Sequence, residues 1–318
     1  MHRYIIKRIL WLIPIIICVS FIVFMLIDLA PGTIIDSMIT DEMTQDEINI
    51  LRSRYNLDKP MIYRYGIYMS KLVRGDLGVS DINGLSVWDT YIERLPNTLI
   101  LAGASLFIGA VCAIPMGIFA ARHAGKTADN ITTTFSLLGI SMPNFWVALL
   151  LLLLFSLKLG WLPAGGNRMG IRSLILPALS SSFGLMATAT RQTRSSMLEV
   201  LNSDYLRTAR AKGVSEKTVI RKHALGNAWI PILTTIGTSL AFSISGSAIT
   251  EAVFAWPGVG RMTVEAVGRR DVTTVCGTVI LTTIFFVLVQ LLVDMAYAFV
   301  DPRIRAQYSS GGKRRLKI

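Results

Sequence analysis

Long apolar runs separated by polar segments make up most of this chain. An α-helix needs about 20 mostly apolar residues to cross the hydrocarbon core of a membrane. Because lipid offers the backbone no hydrogen bonds, only helices or closed barrels span it, and runs of this length exclude barrel strands. Six stretches meet the requirement: 9–30, 98–121, 131–157, 173–190, 229–251 and 273–299. The pattern predicts an all-α, polytopic membrane protein with about six transmembrane helices.

The composition and the distribution of charge predict how these helices are oriented. Of the 318 residues 52% are hydrophobic and 16% are charged, whereas about a quarter are charged in soluble domains. The net charge of +12 comes largely from two segments rich in Lys and Arg, residues 191–228 and 301–318. Such clusters mark the cytoplasmic side of membrane proteins. Both termini and residues 191–228 are therefore expected in the cytoplasm, and no nucleic-acid partner is expected.

Residues 31–97 form a polar insert on the external side, and their pattern predicts short helices. Thr44 followed by Glu47 is a capping box, which starts a helix. Two amphipathic faces follow it: Ile48, Leu51 and Tyr55, and then Ile62, Tyr65, Met69 and Leu72. We expect a small helical cap packed on a membrane domain at residues 98–300, with residues 1–30 as the first transmembrane helix.

Groups that could supply catalysis or ion coupling are scarce. Asp28, Glu251 and Asp294 lie near the ends of apolar runs, whereas proton relays place ionisable groups near the midplane. Residues 125–127, Gly-Lys-Thr, match the end of a phosphate-binding loop, but Ala120 stands where its first glycine belongs, and a membrane helix precedes it. We therefore expect a non-catalytic subunit without cofactor or metal, energised by another subunit.

The basic segment 191–228 shows signals for two short helices joined at a glycine. Ser196 with Glu199 forms a capping box that opens the first helix. Gly213 suits the left-handed position that closes a helix, and Ser215 can cap the next one. This shape suits a socket on a partner protein. An ordinary basic loop beside anionic lipid is the alternative.

Residues 204–214, Asp-Tyr-Leu-Arg-Thr-Ala-Arg-Ala-Lys-Gly-Val, resemble the coupling loop of ABC importer permeases. The general pattern there is Glu-Ala-Ala, three residues, Gly, nine residues, then Ile-x-Leu-Pro. Here Arg207 and Thr208 replace the Glu and the first Ala, and His223 and Gly226 replace the Ile and the Pro. These departures agree with one subfamily, the oligopeptide, dipeptide and nickel permeases. Further segments similar to that subfamily occur in its order: 3–8, 30–32, 57–60, 75–80, 94–99, 141–145, 161–166, 251–261, 270–271 and 301–303.

The resemblance implies a membrane subunit that forms half of a translocation pore in a bacterial or archaeal plasma membrane. Its implied partners are a second, homologous permease, two cytoplasmic ATPases and an extracytoplasmic solute-binding protein. The residues that it places at the ATPase contact are Asp204, Tyr205, Arg207, Thr208, Ala209, Arg210, Lys212, Gly213 and Val214. Motion of the ATPases would then rock the pore between outward and inward access.

The outer segment that contains Glu251, Trp256, Pro257 and Gly258 admits two interpretations. In the first, it lines the outer mouth of the pore, with Trp256 as a lid and Glu251 facing a substrate amine. Alternatively, Trp256 is an interfacial anchor beside a Pro-Gly turn, as is common at membrane surfaces.

The solute stays open at this point. Peptides lead, because most of the subfamily carries them, and nickel, a nickel chelate or glutathione are alternatives. An ion-coupled secondary transporter is the alternative from a different class, but it would show repeated halves and midplane charges.

Overall fold

A computed structural model, which describes residues 2–37, 39 and 43–300, shows an all-helical membrane protein. Five helices within these residues are long and apolar enough to cross a membrane alone. They are α1 (His2–Leu29), α4 (Val87–Arg122), α7 (Ile171–Leu201), α10 (Leu225–Gly246) and α13 (Val272–Val300). The predicted all-α class is confirmed, and five of the six predicted spans correspond to these helices. The basic tail 301–318, with the family-like segment 301–303, lies outside the described residues.

The remaining predicted span, 131–157, corresponds to two helices that together are long and apolar enough to cross a membrane but are separated by a sharp bend, so the described residues hold five or six spans. It consists of α5 (Thr127–Ser141) and α6 (Asn144–Leu151), which meet at 103°. Pro143 causes the break, because the residue before a proline is pushed out of the α region and Met142 is accordingly extended, with φ −78° and ψ 129°. A π-helical turn, Leu152–Lys158, continues α6.

Helices α4 and α7 pack along each other at the centre of the domain. Their close approach depends on two glycines of α4, since a Cβ on Gly109 would lie 2.6 Å from the Leu185 side chain, and one on Gly117 would lie 2.7 Å from the Thr190 carbonyl oxygen. Membrane helices associate through such small residues because hydrophobicity offers no drive between them. Here the small residues serve packing within the chain.

The external insert contains α2 (Gln45–Arg54) and α3 (Met61–Val73), and its last part is the start of α4. The predicted capping box is present, with both Thr44–Glu47 hydrogen bonds formed. Helix α3 packs on α1 and α13 through Tyr68, which lies in a cluster with Phe24 and Ile280. Helix α3 therefore lies against the membrane helices, although Ile62 of the expected apolar face points away and is exposed.

Ion pairs hold α1 against its neighbours at both ends. At the outer end Asp28 pairs with Arg64 of α3. At the inner end Arg8 pairs with Asp294 of α13, at 2.7 Å. Two of the acidic residues that the sequence places near span ends thus fasten the first helix to the rest of the domain.

Candidate coupling site and outer-loop network

The cytoplasmic segment begins later than the charge pattern indicated. Helix α7 continues through residues 191–201, so the prediction that Ser196 and Glu199 open a new helix was wrong. Ser196 is buried in the middle of that helix, and its hydroxyl accepts a hydrogen bond from Gln192. The new helix, α8 (Asp204–Ala211), starts after Ser203.

Helix α8 lies on the protein through a single buried side chain. Leu206 is completely buried, in a cluster that includes Met197 of α7 and Val219. Burying a leucine contributes roughly 1.5–3 kcal/mol, enough to hold so short a helix in place. The other predicted contact residues of α8 turn outward: Asp204, Tyr205, Arg207, Thr208 and Arg210 are exposed, and Ala209 is half-buried.

The turn after α8 has the left-handed conformation that the glycine in the sequence predicts. Gly213 has φ +78°, the left-handed conformation that closes helices at little cost only for glycine. Its amide donates to the Arg210 carbonyl, and that of Val214 donates to the Ala209 carbonyl. Lys212 and Gly213 are exposed, whereas Val214 packs against the Leu206 cluster.

An ion pair bridges this turn. The Arg210 guanidinium donates to both carboxylate oxygens of Glu216, each at 3.1 Å, from Nε and from Nη2. These hydrogen bonds raise the pKa of the Arg210 side chain above its ordinary value, so the arginine stays charged at all physiological pH values. Because the pair is exposed, it adds only modestly to the Gly213 turn in orienting the two sides.

The second half of the segment does not form a separate short helix, which corrects the prediction of two such helices. Ser215 precedes α9 (Glu216–Thr218), which runs through the π-helical turn Val219–Ala224 directly into α10. Glu216–Ile244 is thus one continuous helical rod that reaches from the cytoplasmic turn into the membrane. A displacement of the turn would move α10 with it.

On the outer face, Glu251 lies at the centre of a buried network. The fifth predicted span, 229–251, ends earlier than expected, at Gly246, and Glu251 belongs to the next helix, α11 (Ala248–Val253). Its carboxylate accepts hydrogen bonds from the Thr98 hydroxyl at 2.8 Å, the Ser247 hydroxyl at 2.9 Å and the Arg261 amide at 3.0 Å. It joins α4, α10 and the outer helix α12 (Val259–Gly268).

Trp256 and Gly258 close this network. The Trp256 indole is buried beside Leu101, and its Nε1 donates to the Asn97 carbonyl at 2.9 Å. Gly258 lies directly against the Glu251 carboxylate. The side chains of Glu251 and Trp256 therefore face the protein interior in this structure, and Pro257, between them, accepts a hydrogen bond from the Asn97 amide through its carbonyl.

Sequence reasoning missed three residues that organise the cytoplasmic face: Leu206, Glu216 and Asp129. The first two could have been found, since Leu206 is the one apolar residue between polar neighbours and Glu216 follows the turn glycine by three. Asp129 pairs with Arg194 of α7 at 2.5 and 2.7 Å, a contact across 65 residues that no local pattern signals. Within the described residues, no group of three or more His, Cys, Asp and Glu side chains could hold a metal ion.

The fold and this segment define a class of protein: a polytopic membrane subunit with an exposed helix on its cytoplasmic side, between the membrane helices α7 and α10. The chain belongs to the family of binding-protein-dependent transport system inner membrane components, which matches residues 113–306. Residues 1–102 match the N-terminal part of the membrane components of such systems. It is therefore the non-catalytic, multi-pass permease component of a bacterial ABC importer, and it functions with ATPase and solute-binding partners.

Curated relatives match nearly the whole chain. The oligopeptide transport system permease protein AppB of Bacillus subtilis (strain 168) is 36% identical over 314 residues, covering 96% of this chain and 99% of that protein. The glutathione transport system permease protein GsiC of Escherichia coli (strain K12) is 38% identical over 305 residues, with the same coverage.

Solved structures share the fold at lower identity. The MetNI methionine ABC transporter, in an inward-facing conformation, superimposes with a TM-score of 0.57 at 19% identity, over 66% of this chain and 96% of that chain. An amino acid ABC transporter with histidines gives a TM-score of 0.52 at 17% identity, over 66% and 94% of the two chains. This likeness supports the permease fold and nothing finer.

Proposed function

We propose that this chain forms half of the pore of an importer for solutes built of peptide bonds. The two relatives described above are named for oligopeptide and glutathione transport, and both kinds of molecule contain peptide bonds. We further propose that the other half of the pore is a second, homologous permease and that two ATPases bind from the cytoplasm.

The observation that carries the ATPase contact is the exposed polar face of α8. One buried leucine holds this helix on the protein, while Tyr205, Arg207 and Thr208 point away from it. A helix so attached offers most of its circumference to a partner. A loop that merely lies on anionic lipid has no need of a tight glycine turn or of the Arg210–Glu216 bridge.

The same contacts provide the route by which motion of a bound ATPase reaches the membrane helices. A partner that moves α8 also moves α9, since the Arg210–Glu216 pair and the Gly213 turn join them. Because α9 continues into α10, the displacement reaches the membrane without crossing a flexible joint. A two-state element biased from a distant site is what coupling requires.

We assign the outer-mouth residues Glu251, Trp256, Pro257 and Gly258 a structural role in shaping the extracytoplasmic entrance. The contacts found for the Glu251 and Trp256 side chains are all with protein groups, among them Thr98, Ser247 and the Asn97 backbone. In this proposal they hold the outer loop in place, and they do not bind the solute.

The test is site-directed cross-linking in the assembled complex. In a chain whose three cysteines are replaced by alanine, Thr208→Cys on α8 should cross-link to the ATPase, and Asp46→Cys on the external helix α2 should not. An impermeant thiol reagent added outside should label only the Asp46→Cys chain. Cross-linking from both positions, or from neither, would overturn the assignment.

The solute is tested separately. Mass spectrometry of the purified cognate binding protein should find a peptide or a peptide-like thiol. A nickel ion or nickel chelate there would overturn the proposed solute and leave the coupling site untouched.

A further inference from the structure

A polar groove in the membrane domain is not explained by the packing described so far, although Leu185 and Ser247 in its lining also take part in that packing. It has a volume of about 330 Å³ and lies between α7, α10 and the break that separates α5 from α6. Its polar lining consists of Asn144, Ser181, Thr188, Ser239, Ser243 and Ser247. No charged residue is among the described residues that line it.

The groove lies within the bilayer. Ser181 and Thr188 follow the outer start of α7 by 10 and 17 residues, which places them about 15 and 25 Å along the helix at 1.5 Å per residue. Ser239 is 14 residues from the inner start of α10, about 21 Å along it. A row of hydroxyls at this depth faces a region where lipid offers no hydrogen bonds.

The hydroxyls are arranged to accept hydrogen bonds. Thr188 donates its proton to the Gly184 carbonyl at 2.9 Å, and Ser239 donates to the Thr235 carbonyl at 2.7 Å. Ser247 likewise donates to Glu251. A hydroxyl whose proton is used in this way keeps lone pairs for an N–H group of a ligand.

Groups that can donate belong to residues that line the same groove. The Ser181 hydroxyl oxygen is buried and has no hydrogen-bond partner among the described residues, which is a cost that proteins usually avoid. Asn144 is the first residue of α6, directly after the break, and its amide offers two N–H donors. Donors and acceptors together match the C=O and N–H groups of a peptide bond.

The break itself points to a pathway. Interrupted helices at membrane depth are tolerated where the irregular backbone is buried in protein or lines a water-filled cavity, and transporters use them at solute sites. In addition, the two long walls of the groove, α7 and α10, are the helices that flank the coupling segment. Motion of α8 therefore acts on both walls.

We propose that this groove is the part of the solute path contributed by this chain, and that it recognises uncharged peptide groups by hydrogen bonds. The inference rests on the proposed function and adds to it the lining residues and the chemistry that they read. The competing explanation is that a helix of the second permease fills the groove, because small polar residues also serve helix packing.

Uptake by the assembled complex tests the proposal, with trialanine and glutathione as probes. Ser243→Leu fills the groove and should lower uptake about tenfold or more, which corresponds to at least ~1.4 kcal/mol of lost transition-state stabilisation. Thr188→Val removes an acceptor and should raise KM several-fold with a smaller change in kcat. Thr283→Leu on α13, outside the groove, is the matched control and should transport like the wild type.

A labelling experiment separates the two explanations without relying on transport. In the chain without its native cysteines, Ser243→Cys should react with a small permeant thiol reagent in the complex, and trialanine or glutathione should slow the reaction. A thiol that is unreactive and cross-links to the second permease would overturn the groove proposal, as would full uptake by Ser243→Leu. A wild-type complex that takes up neither probe would instead overturn the proposed function on which the groove proposal rests.

Discussion

A Cβ atom on Gly258 would lie 2.3 Å from Oε2 of Glu251, so the outer loop closes only around a residue without a side chain. The carboxylate cannot move away cheaply, because it is fully buried and three donors hold it. The backbone of Gly258 has φ −102°, which any residue can adopt. The constraint is therefore contact with Glu251 and not backbone strain.

Gly258→Ala is expected to destabilise the protein by about 1–3 kcal/mol, the usual cost of overpacking. Thermal unfolding in detergent measures it. Gly268→Ala, at the last residue of the helix α12 that Gly258 precedes, meets nothing within 4 Å; it is the matched control and should not be destabilised. Adding Glu251→Ala should make the Gly258→Ala cost smaller than in the wild type, since contacting residues are not additive. If the costs of the two substitutions simply added, the contact between Gly258 and Glu251 would be contradicted.

Gly213→Val should uncouple transport while leaving the protein folded. The strained left-handed backbone costs about 1 kcal/mol or more for a β-branched residue, and no atom lies within 4 Å of the added Cβ. We expect uptake and solute-stimulated ATPase activity to fall about tenfold, a coupling energy of ~1.4 kcal/mol.

Gly75→Val is the control for this effect. Gly75 has nearly the same conformation, φ +80°, and equally open surroundings, but it lies in the external insert. Both variants should reach the membrane in normal amounts. Equal transport by the two would show that the turn at Gly213 carries no coupling.

The Arg210–Glu216 pair distinguishes bracing of the turn from direct contact with a partner. Arg210→Glu should reduce transport because two carboxylates then oppose each other across the turn. If the pair acts as a brace, the exchange Arg210→Glu with Glu216→Arg should restore most of the uptake. Failure of the exchange to restore any uptake would assign Arg210 to the partner surface. Arg207→Glu, which leaves the brace intact, reports on the exposed face of α8 alone.

Asp129→Ala should destabilise the packing of α5 on α7. Asp129 is almost fully buried and accepts two hydrogen bonds from Arg194 and one from the Gly125 amide. We expect the free energy of unfolding to fall by about 2–3 kcal/mol. This is less than the usual cost of breaking a fully buried ion pair, because Arg194 is partly exposed. Asp204→Ala removes an exposed pair with Arg207, at 3.6 Å, and should change the unfolding temperature little. Equal effects of the two would contradict this ranking.

Asp81 should make the stability of the external insert depend on pH. Burial raises the pKa of this carboxyl in the folded protein, and the nearby Asp271 carboxylate raises it further. The folded protein therefore binds the Asp81 proton more tightly than the unfolded chain does, so protonation of Asp81 stabilises the fold. This stabilisation is complete below the pKa of the unfolded state and is lost as the pH rises through the pKa of the folded state. Asp81→Asn should therefore match the wild type in acid and exceed its unfolding temperature at neutral pH.

The measurement is the unfolding temperature of the wild type and of Asp81→Asn from acid to neutral pH. Asp58→Asn, on the exposed surface of the same insert, should follow the wild type throughout. A wild type that gains stability over Asp81→Asn as the pH rises would contradict the assigned direction.

Local patterns in the sequence determined much of this molecule. The number and the order of the apolar segments, the capping box at Thr44 and the left-handed turn at Gly213 each depend on residues within a few positions of one another. Length and hydrophobicity decide whether a helix can span a bilayer, and a glycine tolerates positive φ wherever it stands. The departures at Arg207 and Thr208 are equally local, and they agree with the subfamily that the rest of the chain resembles.

The tertiary structure decided what distant residues do to one another. Glu251 and Thr98 are 153 positions apart, and only folding shows that the carboxylate is buried against that hydroxyl. The 103° angle at Pro143 and the merging of α9 with α10 likewise became evident only in the folded chain. A hydrophobic pattern specifies that a segment is apolar. Which side chains share a cavity follows from how the helices cross, and that is set by packing among residues far apart in sequence.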